Sequence, residues 1–381
     1  MGRFSGSLPA SKTASRWYHS RGHSVSGHPK RLDAKLKLAA KRLVTLVVVS
    51  SWVAASALAQ AKPSPLSPTN IFAPDSTPAH SIFRLSIFEL EIEGVIFVVV
   101  FSLLAYAVTK FRHRKTDDES EPPQVYGSNQ MELAWTVLPV LIVVVLFLTT
   151  AQVIHRVQDA ERPAGTIEVT VVGHQYWWEF RYPQYGFVAA NELHVPVSNP
   201  QHPTPTYLAL LSADTDHSFW VPRLAGKTDL IPNHPNSTWI DPQETGLFLG
   251  QCSQYCGTQH AKMLQRVYVE SREDFDRWVQ EQEKPAVADP AAAAGGALFI
   301  TKACFACHAI RGSIARGVVG PDLTHLMSRE TIASGAVSNT PENLRKWVRN
   351  PATFKPGSLM PAPDLTDQEL DQIVGYLSTL R

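Results

Sequence analysis

Cys252-Ser-Gln-Tyr-Cys256-Gly-Thr-Gln-His260-Ala-Lys-Met263 gathers four soft or borderline metal donors into one short segment. Thiolate, imidazole and thioether together select copper over hard cations. Two cysteines four residues apart on one loop can turn both sulfurs inward and bridge two copper ions, whereas a mononuclear blue-copper site needs only one. Bridging thiolates share an added electron over both metals, so little geometry changes on reduction. Each copper also needs a histidine. His260 supplies one, and His217, in Asp214-Thr-Asp-His217-Ser-Phe-Trp-Val-Pro222, closes a strand-like run from which the other could come. Zinc competes for a Cys₂His₂ set, although a C-x₃-C-x₃-H loop carrying Met263 in an exported β domain is an unusual zinc finger.

The surroundings of this loop set the fold. From Thr166 to about Asp276, short apolar and aromatic runs (TIEVTVVG, TYLALLS, GLFLGQC, RVYVE) alternate with Pro, Asn and Gly. Such spacing predicts a β-sandwich or barrel. An Ala/Pro/Gly stretch over Pro285–Gly296 reads as a linker. Beyond it the patterning is helical, with a favourable start at Thr340-Pro341-Glu342 and a second helix after Thr366.

That last region holds Cys304-Phe-Ala-Cys307-His308, the C-x-x-C-H signature of covalent c-type haem. The two thiols add to the haem vinyl groups, and His308 becomes an axial ligand. A thioether as sixth ligand raises the potential. Met360, on the Pro-bracketed loop Lys355-Pro-Gly-Ser-Leu-Met360-Pro361, is the expected donor; Met327 is the rival, in a run (LTHLMSRE) that reads as helical core. Gly320-Pro321-Asp322-Leu323 resembles the class I cytochrome c loop, which implies that the Pro321 carbonyl orients His308. The four cysteines of the chain thus form two functional pairs, with none left for a structural disulfide.

The N-terminal part is membranous. Three apolar blocks precede Arg156. The first, Leu43–Ala59, follows a basic flank and ends Ala57-Leu58-Ala59, the pattern of a secretory signal; a retained anchor helix is the alternative. The second centres on Gly94–Thr109 and must extend back through Ile87-Phe88 to reach spanning length, leaving Glu89, Glu91 and Glu93 at its outer end or against a partner. The third, Leu133–Ile154, carries no charge and tolerates Pro139 near its start. Lys110, Arg112, Arg114 and Lys115 lie between the second and third blocks, which places that loop in the cytoplasm and everything after Arg156 outside. A formal net charge of +1 gives no reason to expect a nucleic-acid partner.

The expected layout is therefore a signal and upstream basic region (1–59), a transmembrane hairpin (60–160, helices about 86–110 and 132–155), a copper-binding β domain (161–284), a linker (285–296) and an all-α haem domain (297–381). Taken together, these motifs resemble subunit II of the haem–copper cytochrome c oxidases, in the caa3-type form with a fused class I cytochrome c domain. The resemblance runs through Glu132-Leu-Ala-Trp135-Thr-Val-Leu-Pro139, Gly173-His-Gln-Tyr-Trp-Trp178, Lys227-Thr-Asp229-Leu-Ile-Pro232 and the metal loop. It implies a cupredoxin-like sandwich holding dinuclear copper A through His217, Cys252, Cys256, His260, Met263 and the backbone carbonyl of Gln254. It also implies an electron path along Tyr176, Trp177 and Trp178, and a proton-channel mouth at Glu132.

By the same resemblance the partners are subunit I and subunit III, a lipid bilayer, and cytochrome c or another membrane donor. The location implied is a bacterial inner membrane with both metal domains periplasmic. Two positions depart from the pattern. Gln254 stands where relatives carry a magnesium-binding Glu, so copper keeps its carbonyl while magnesium at the subunit I interface loses a carboxylate. Tyr176 stands where relatives carry the tryptophan that receives electrons from soluble cytochrome c. A tethered haem domain, at an effective concentration in about the millimolar range for a short linker, need not dock as a diffusing donor does. The rival readings are a copper A subunit of a nitric oxide reductase and a non-enzymatic periplasmic copper or redox protein. Quinol oxidase subunits share the hairpin and sandwich but lack the copper ligands.

Overall fold

The computed structural model describes residues 69–112, 124, 126–158, 162–163, 165–199, 203–287 and 289–381. The signal segment, Arg114 and Lys115 lie outside these residues.

Two long apolar helices come first, α1 (Thr77–Lys110) and α2 (Asn129–Gln158), with mean hydropathies of 2.2 and 2.6 in their most apolar stretches. Each exceeds the roughly 20 residues a span requires. Both are longer than the sequence pattern suggested, and α1 most of all. Its first turns are fixed from a distance: Asp241 on the β domain accepts from the Thr77 N–H at 2.6 Å and from the Ser76 hydroxyl at 2.8 Å. That carboxylate does the work of an N-cap, satisfying a donor the helix cannot. At the last turn of α2 the Trp239 indole donates to the Val157 carbonyl at 2.7 Å. Both helices are thus tied to the sandwich by side chains that hydropathy does not register.

The sandwich follows as ten strands: β1 (Ile167–His174), β2 (Trp177–Tyr182), β3 (Phe187–Ala190), β4 (Glu192–Pro196), β5 (Thr206–Ser212), β6 (His217–Trp220), β7 (Thr228–Leu230), β8 (Asn236–Ile240), β9 (Gly246–Cys252) and β10 (Leu264–Glu270). They form two five-stranded sheets, in the orders β3-β2-β1-β5-β8 and β4-β10-β9-β6-β7. β10 shows why: in Leu-Gln-Arg-Val-Tyr-Val-Glu every second residue is buried, the period of a strand with one face on a core. Trp178, Phe180, Leu208, Leu210 and Leu193 are fully buried between the sheets. Burial of such side chains stabilises by about 1.5–3 kcal/mol each. Helix α3 (Arg272–Gln282), capped by Ser271, closes one end by burying Phe275 and Val279.

The C-terminal unit packs α4 (Ala293–Thr301), α5 (Pro341–Arg349) and α6 (Asp367–Leu377) around Phe299, Leu344, Leu370 and Ile373, with a short hairpin of β11 (Thr331–Ile332) and β12 (Val337–Ser338). The caps are those the sequence suggests: Thr340 accepts from the Asn343 N–H, and Thr366 and Glu369 form a reciprocal capping box.

The stretch expected as a linker, Pro285–Gly296, is different. A 3₁₀ turn spans Pro290–Ala292 and α4 begins at Ala293, because alanine is the best helix former and Asp289 caps the turn. Even its first residues are held, with the Ala286 N–H donating to the Arg311 carbonyl at 3.0 Å. Gly295 is there for close approach: a Cβ on it would sit 2.0 Å from the Gln372 carbonyl oxygen of α6. Gly295→Ala should therefore force α4 off α6, destabilising the domain by about 3 kcal/mol or more, at the top of the overpacking range. Thermal unfolding followed at the haem absorption band measures it. An unchanged midpoint would mean that the helices do not meet there.

Candidate metal centre and haem cleft

The loop Ser253–Met263 joins β9 to β10 and is closed at its base by the Cys252 N–H donating to the Met263 carbonyl at 3.0 Å. β6 pairs with β9, aligning Phe219 with Cys252, and so delivers His217 beside the first cysteine. The ring fits because residue 173 is glycine: a Cβ there would lie 2.8 Å from His217 Cδ2. Backbone topology thus brings a residue thirty-five positions upstream into the loop.

The donors converge. Cys252 Sγ lies 3.9 Å from Cys256 Sγ and 3.9 Å from His217 Nδ1. Cys256 Sγ lies 3.7 Å from His260 Nδ1 and 3.8 Å from Met263 Sδ. The Gln254 carbonyl oxygen is 3.1 Å from Cys252 Sγ. His217, Cys252, Cys256 and Met263 are buried, while the Gln254 side chain faces solvent. All six residues expected as ligands meet at one place.

Two tests bear on whether a metal fits. A disulfide would bring the sulfurs to about 2.05 Å, so this pair is an open dithiol. Two sulfurs each about 2.3 Å from one ion at a tetrahedral angle would lie about 3.8 Å apart, close to the separation found. The soft character of the set matches copper.

Electrostatics favour a thiolate at Cys252. A hydrogen bond from Cys256, with further ones from His217 and the Ser218 backbone, holds the Cys252 thiol well below the usual range; the same contact and burial push Cys256 up. Burial would depress His217, but Asp214 and Cys252 outweigh it and raise the ring. Asp214 is the residue that sequence reasoning overlooked. Its carboxylate sits 2.8 Å from His217 Nε2, leaving Nδ1 directed at Cys252. Such outer partners fix the ring and raise its basicity as a ligand. Its position three residues before His217 was the available signal.

The aromatic run leads outward from this centre. Trp178 is fully buried, with its ring 6.1 Å from that of His217. Trp177 stacks on His174 at 4.2 Å. Tyr176 accepts from the Thr258 N–H at 3.1 Å, and Gln175 Nε2 donates to the Cys256 carbonyl at 2.6 Å.

Tyr176 and Trp177 also line a largely apolar cleft, whose walls include Cys304, Cys307, His308 and Met360. A 3₁₀ turn, Cys304–Ala306, presents the cysteines. His308 Nδ1 meets the Pro321 carbonyl at 2.8 Å, as the sequence suggested. Burial lowers the ring's pKa, partly offset by that carbonyl. Gly320 packs flat on the imidazole, for a Cβ would lie 2.6 Å from Cε1. Phe299, Leu326, Leu344 and Trp347 supply apolar wall. A thiol pair, an oriented imidazole and a thioether around one apolar cleft suit a covalent haem. Met327 is not among the lining residues. It packs on the domain core in a 3₁₀ turn (Leu326–Ser328) rather than in an α-helix, its N–H bound to the Leu380 carbonyl at 2.8 Å. Glu132 stands in the first turn of α2, away from both sites and exposed.

Comparison with known proteins covers most of the chain. The family model for the transmembrane domain of cytochrome c oxidase subunit II matches residues 67–153, that for its periplasmic domain 200–270, and that for cytochrome c 292–381. Cytochrome c oxidase subunit 2 of Alkalihalophilus pseudofirmus is 33% identical over 317 residues, 81% of this chain and 90% of that protein. Its counterpart from Bacillus sp. (strain PS3) is 36% identical over 291 residues, 71% and 80% of the two chains. Among solved structures, the periplasmic domain of subunit II of cytochrome oxidase from Bradyrhizobium japonicum aligns at 29% identity over 32% of this chain and 97% of that chain, with a TM-score of 0.30.

Proposed function

The chain belongs to the cytochrome c oxidase subunit II family, with a cytochrome c domain fused at its C-terminus, and we propose that it passes electrons from haem c to dinuclear copper A and on to the oxygen-reducing subunit I. One observation carries this order: the Gln175–Trp177 turn is bonded to the cysteine loop through Gln175 and also lines the haem cleft. When bound, the copper pair would take up and give up single electrons. The chain's residues do the rest. Cys252, Cys256, His217, His260, Met263 and the Gln254 carbonyl hold the metals, with Asp214 orienting His217. Cys304 and Cys307 anchor the haem, His308 and Met360 ligate it, and the Pro321 carbonyl fixes the His308 ring. Tyr176, Trp177 and Trp178 fill the gap with aromatic side chains.

Two spanning helices carry the chain in a membrane. We assign that membrane to the bacterial cytoplasmic membrane, with the loop after Lys110 inside, both metal domains periplasmic and the signal removed after Ala59. Subunit I and subunit III are the assigned partners, a cytochrome c or other membrane donor reduces the haem, and Glu132 serves at the proton-channel mouth. Gln254 offers no carboxylate, so magnesium is not assigned here. Photoreduction of haem c in the purified oxidase tests the order. Copper A should be reduced first, before the metals of subunit I. Reduction of subunit I with copper A left oxidised would overturn it.

A further inference from the structure

Among the contacts that join the haem domain to the sandwich, including two hydrogen bonds between Leu264 and Ser334, two groups are anchored on a buried ionisable side chain. At the first, the buried Glu192 carboxylate accepts from the Thr331 N–H at 2.9 Å, the Thr331 hydroxyl at 2.8 Å and the Glu330 N–H at 3.2 Å. Beside it, Arg266 pairs with Glu330 at 2.8 Å. Hydrogen bonds to a charged acceptor are the stronger kind, so this clamp is a firm tie between the two domains.

The second grip lies between the cofactor loops themselves. Lys262 Nζ, beside Met263, donates to the Phe354 carbonyl at 2.7 Å, and Gln259 Nε2, beside His260, donates to the Pro356 carbonyl. In the opposite direction Lys355, five residues before Met360, sends its ammonium into the sandwich and donates to the Tyr176 carbonyl at 2.7 Å. The next residue back, Gln175, donates to the Cys256 carbonyl. One hydrogen bond, one peptide unit and a second hydrogen bond therefore connect the Met360 loop to the metal loop.

Lys355 is the unusual member, being only 3% exposed. A buried amine is costly unless it is hydrogen-bonded. Its burial depends on the sandwich remaining in place, because the bonded carbonyl belongs to that domain. The burial also pushes the amine down to about 7; it donates the hydrogen bond in either protonation state.

We propose that Lys355 is a positioning residue for electron transfer within the chain, holding the Gln175–Trp177 turn against the haem cleft in one fixed geometry. The proposal rests on the electron order given above. It replaces a domain searching on a tether with a locked junction, consistent with the packed connector at Ala286. Lys355 lines the haem cleft without being one of the ligands named above, and acts through the Tyr176 backbone.

The experiment uses the intact oxidase in three forms: wild type, Lys355→Met, and wild type with about 20 Gly/Ser residues inserted after Val287. Haem-to-copper transfer is timed after flash reduction, and amide hydrogen exchange is read over residues 175–178 and 354–361. Lys355→Met should slow transfer by about tenfold or more, the scale of one lost hydrogen bond to a charged group. It should speed exchange in both segments, with the haem and copper spectra unchanged. The insertion should leave the rate within about twofold of wild type, whereas a tether-limited rate would fall by about fourfold or more. A slowed insertion variant beside a normal Lys355→Met rate and exchange would overturn the proposal.

If Lys355→Met does not assemble, Glu192→Gln, which loosens the remote clamp, should slow transfer and speed exchange in the same segments; no change in either would overturn it. A wild type whose haem c never reduces copper would contradict the electron order instead, and the exchange data would still decide whether Lys355 locks the interface.

Discussion

Replacing Cys256 by serine is expected to abolish the dinuclear copper centre while leaving the haem domain intact. Cys256 is the hub of the site: its sulfur lies 3.9 Å from Cys252 Sγ, 3.7 Å from His260 Nδ1 and 3.8 Å from Met263 Sδ. Cys252 approaches as many, meeting Cys256, His217 and the Gln254 carbonyl, but only Cys256 joins it to His260 and Met263. A serine hydroxyl is nearly the same shape, so the loop closed by Cys252 and Met263 should persist. The hydroxyl is, however, a hard donor that keeps its proton near neutral pH, and copper selects the soft thiolate. Loss of an outer partner of a metal ligand typically costs 10–100-fold in affinity or activity; loss of a bridging ligand should exceed about 100-fold in turnover. Copper content and oxidase turnover, measured beside haem content, check this. Two coppers per chain and near-normal turnover in Cys256→Ser would show that the sulfur does not bridge.

The second large effect is expected at the haem. Met360→Leu should retain covalent haem, because Cys304 and Cys307 are untouched, and should retain packing, because Met and Leu are close in volume. What it removes is the thioether on the cleft wall. Axial ligands set haem potentials over a range of about 0.8 V, and a thioether raises them. The haem potential should therefore fall by on the order of 0.1 V or more. At about 59 mV per tenfold for one electron, the external donor would then reduce haem c less completely by roughly fiftyfold or more. Met327→Leu should leave the potential alone, since Met327 packs in the core beside Leu380. Redox titration of the haem band in both variants separates them; a fall in Met327→Leu alone would reverse the ligand assignment.

Much of this was legible because the chemistry is local in sequence. Five of the six expected copper ligands sit on one loop, and the haem cysteines and His308 on another. His217 was legible through its strand, and β6 does pair with β9. What escaped depends on contacts between distant segments. Asp241 caps α1 across 164 residues, so the helix starts well before its apolar pattern does. Glu192 and Lys355 each reach between domains, at separations of 139 and 179 residues. Charged residues in such places read as surface in a sequence, since nothing local reveals the buried partner. The Ala/Gly run at the start of α4 misled for another reason. Small residues mark flexible linkers and tight helix contacts alike, and only the proximity of α6 separates the two at Gly295.

The central claim is that two cysteines bridge two coppers in a chain that also carries haem c. Electron paramagnetic resonance of the oxidised, purified oxidase tests it most directly. Hyperfine structure from one unpaired electron shared equally by two copper nuclei is the predicted result. A spectrum from a single copper, or none at this site while the haem is intact, would contradict the bridged centre and the electron order built upon it.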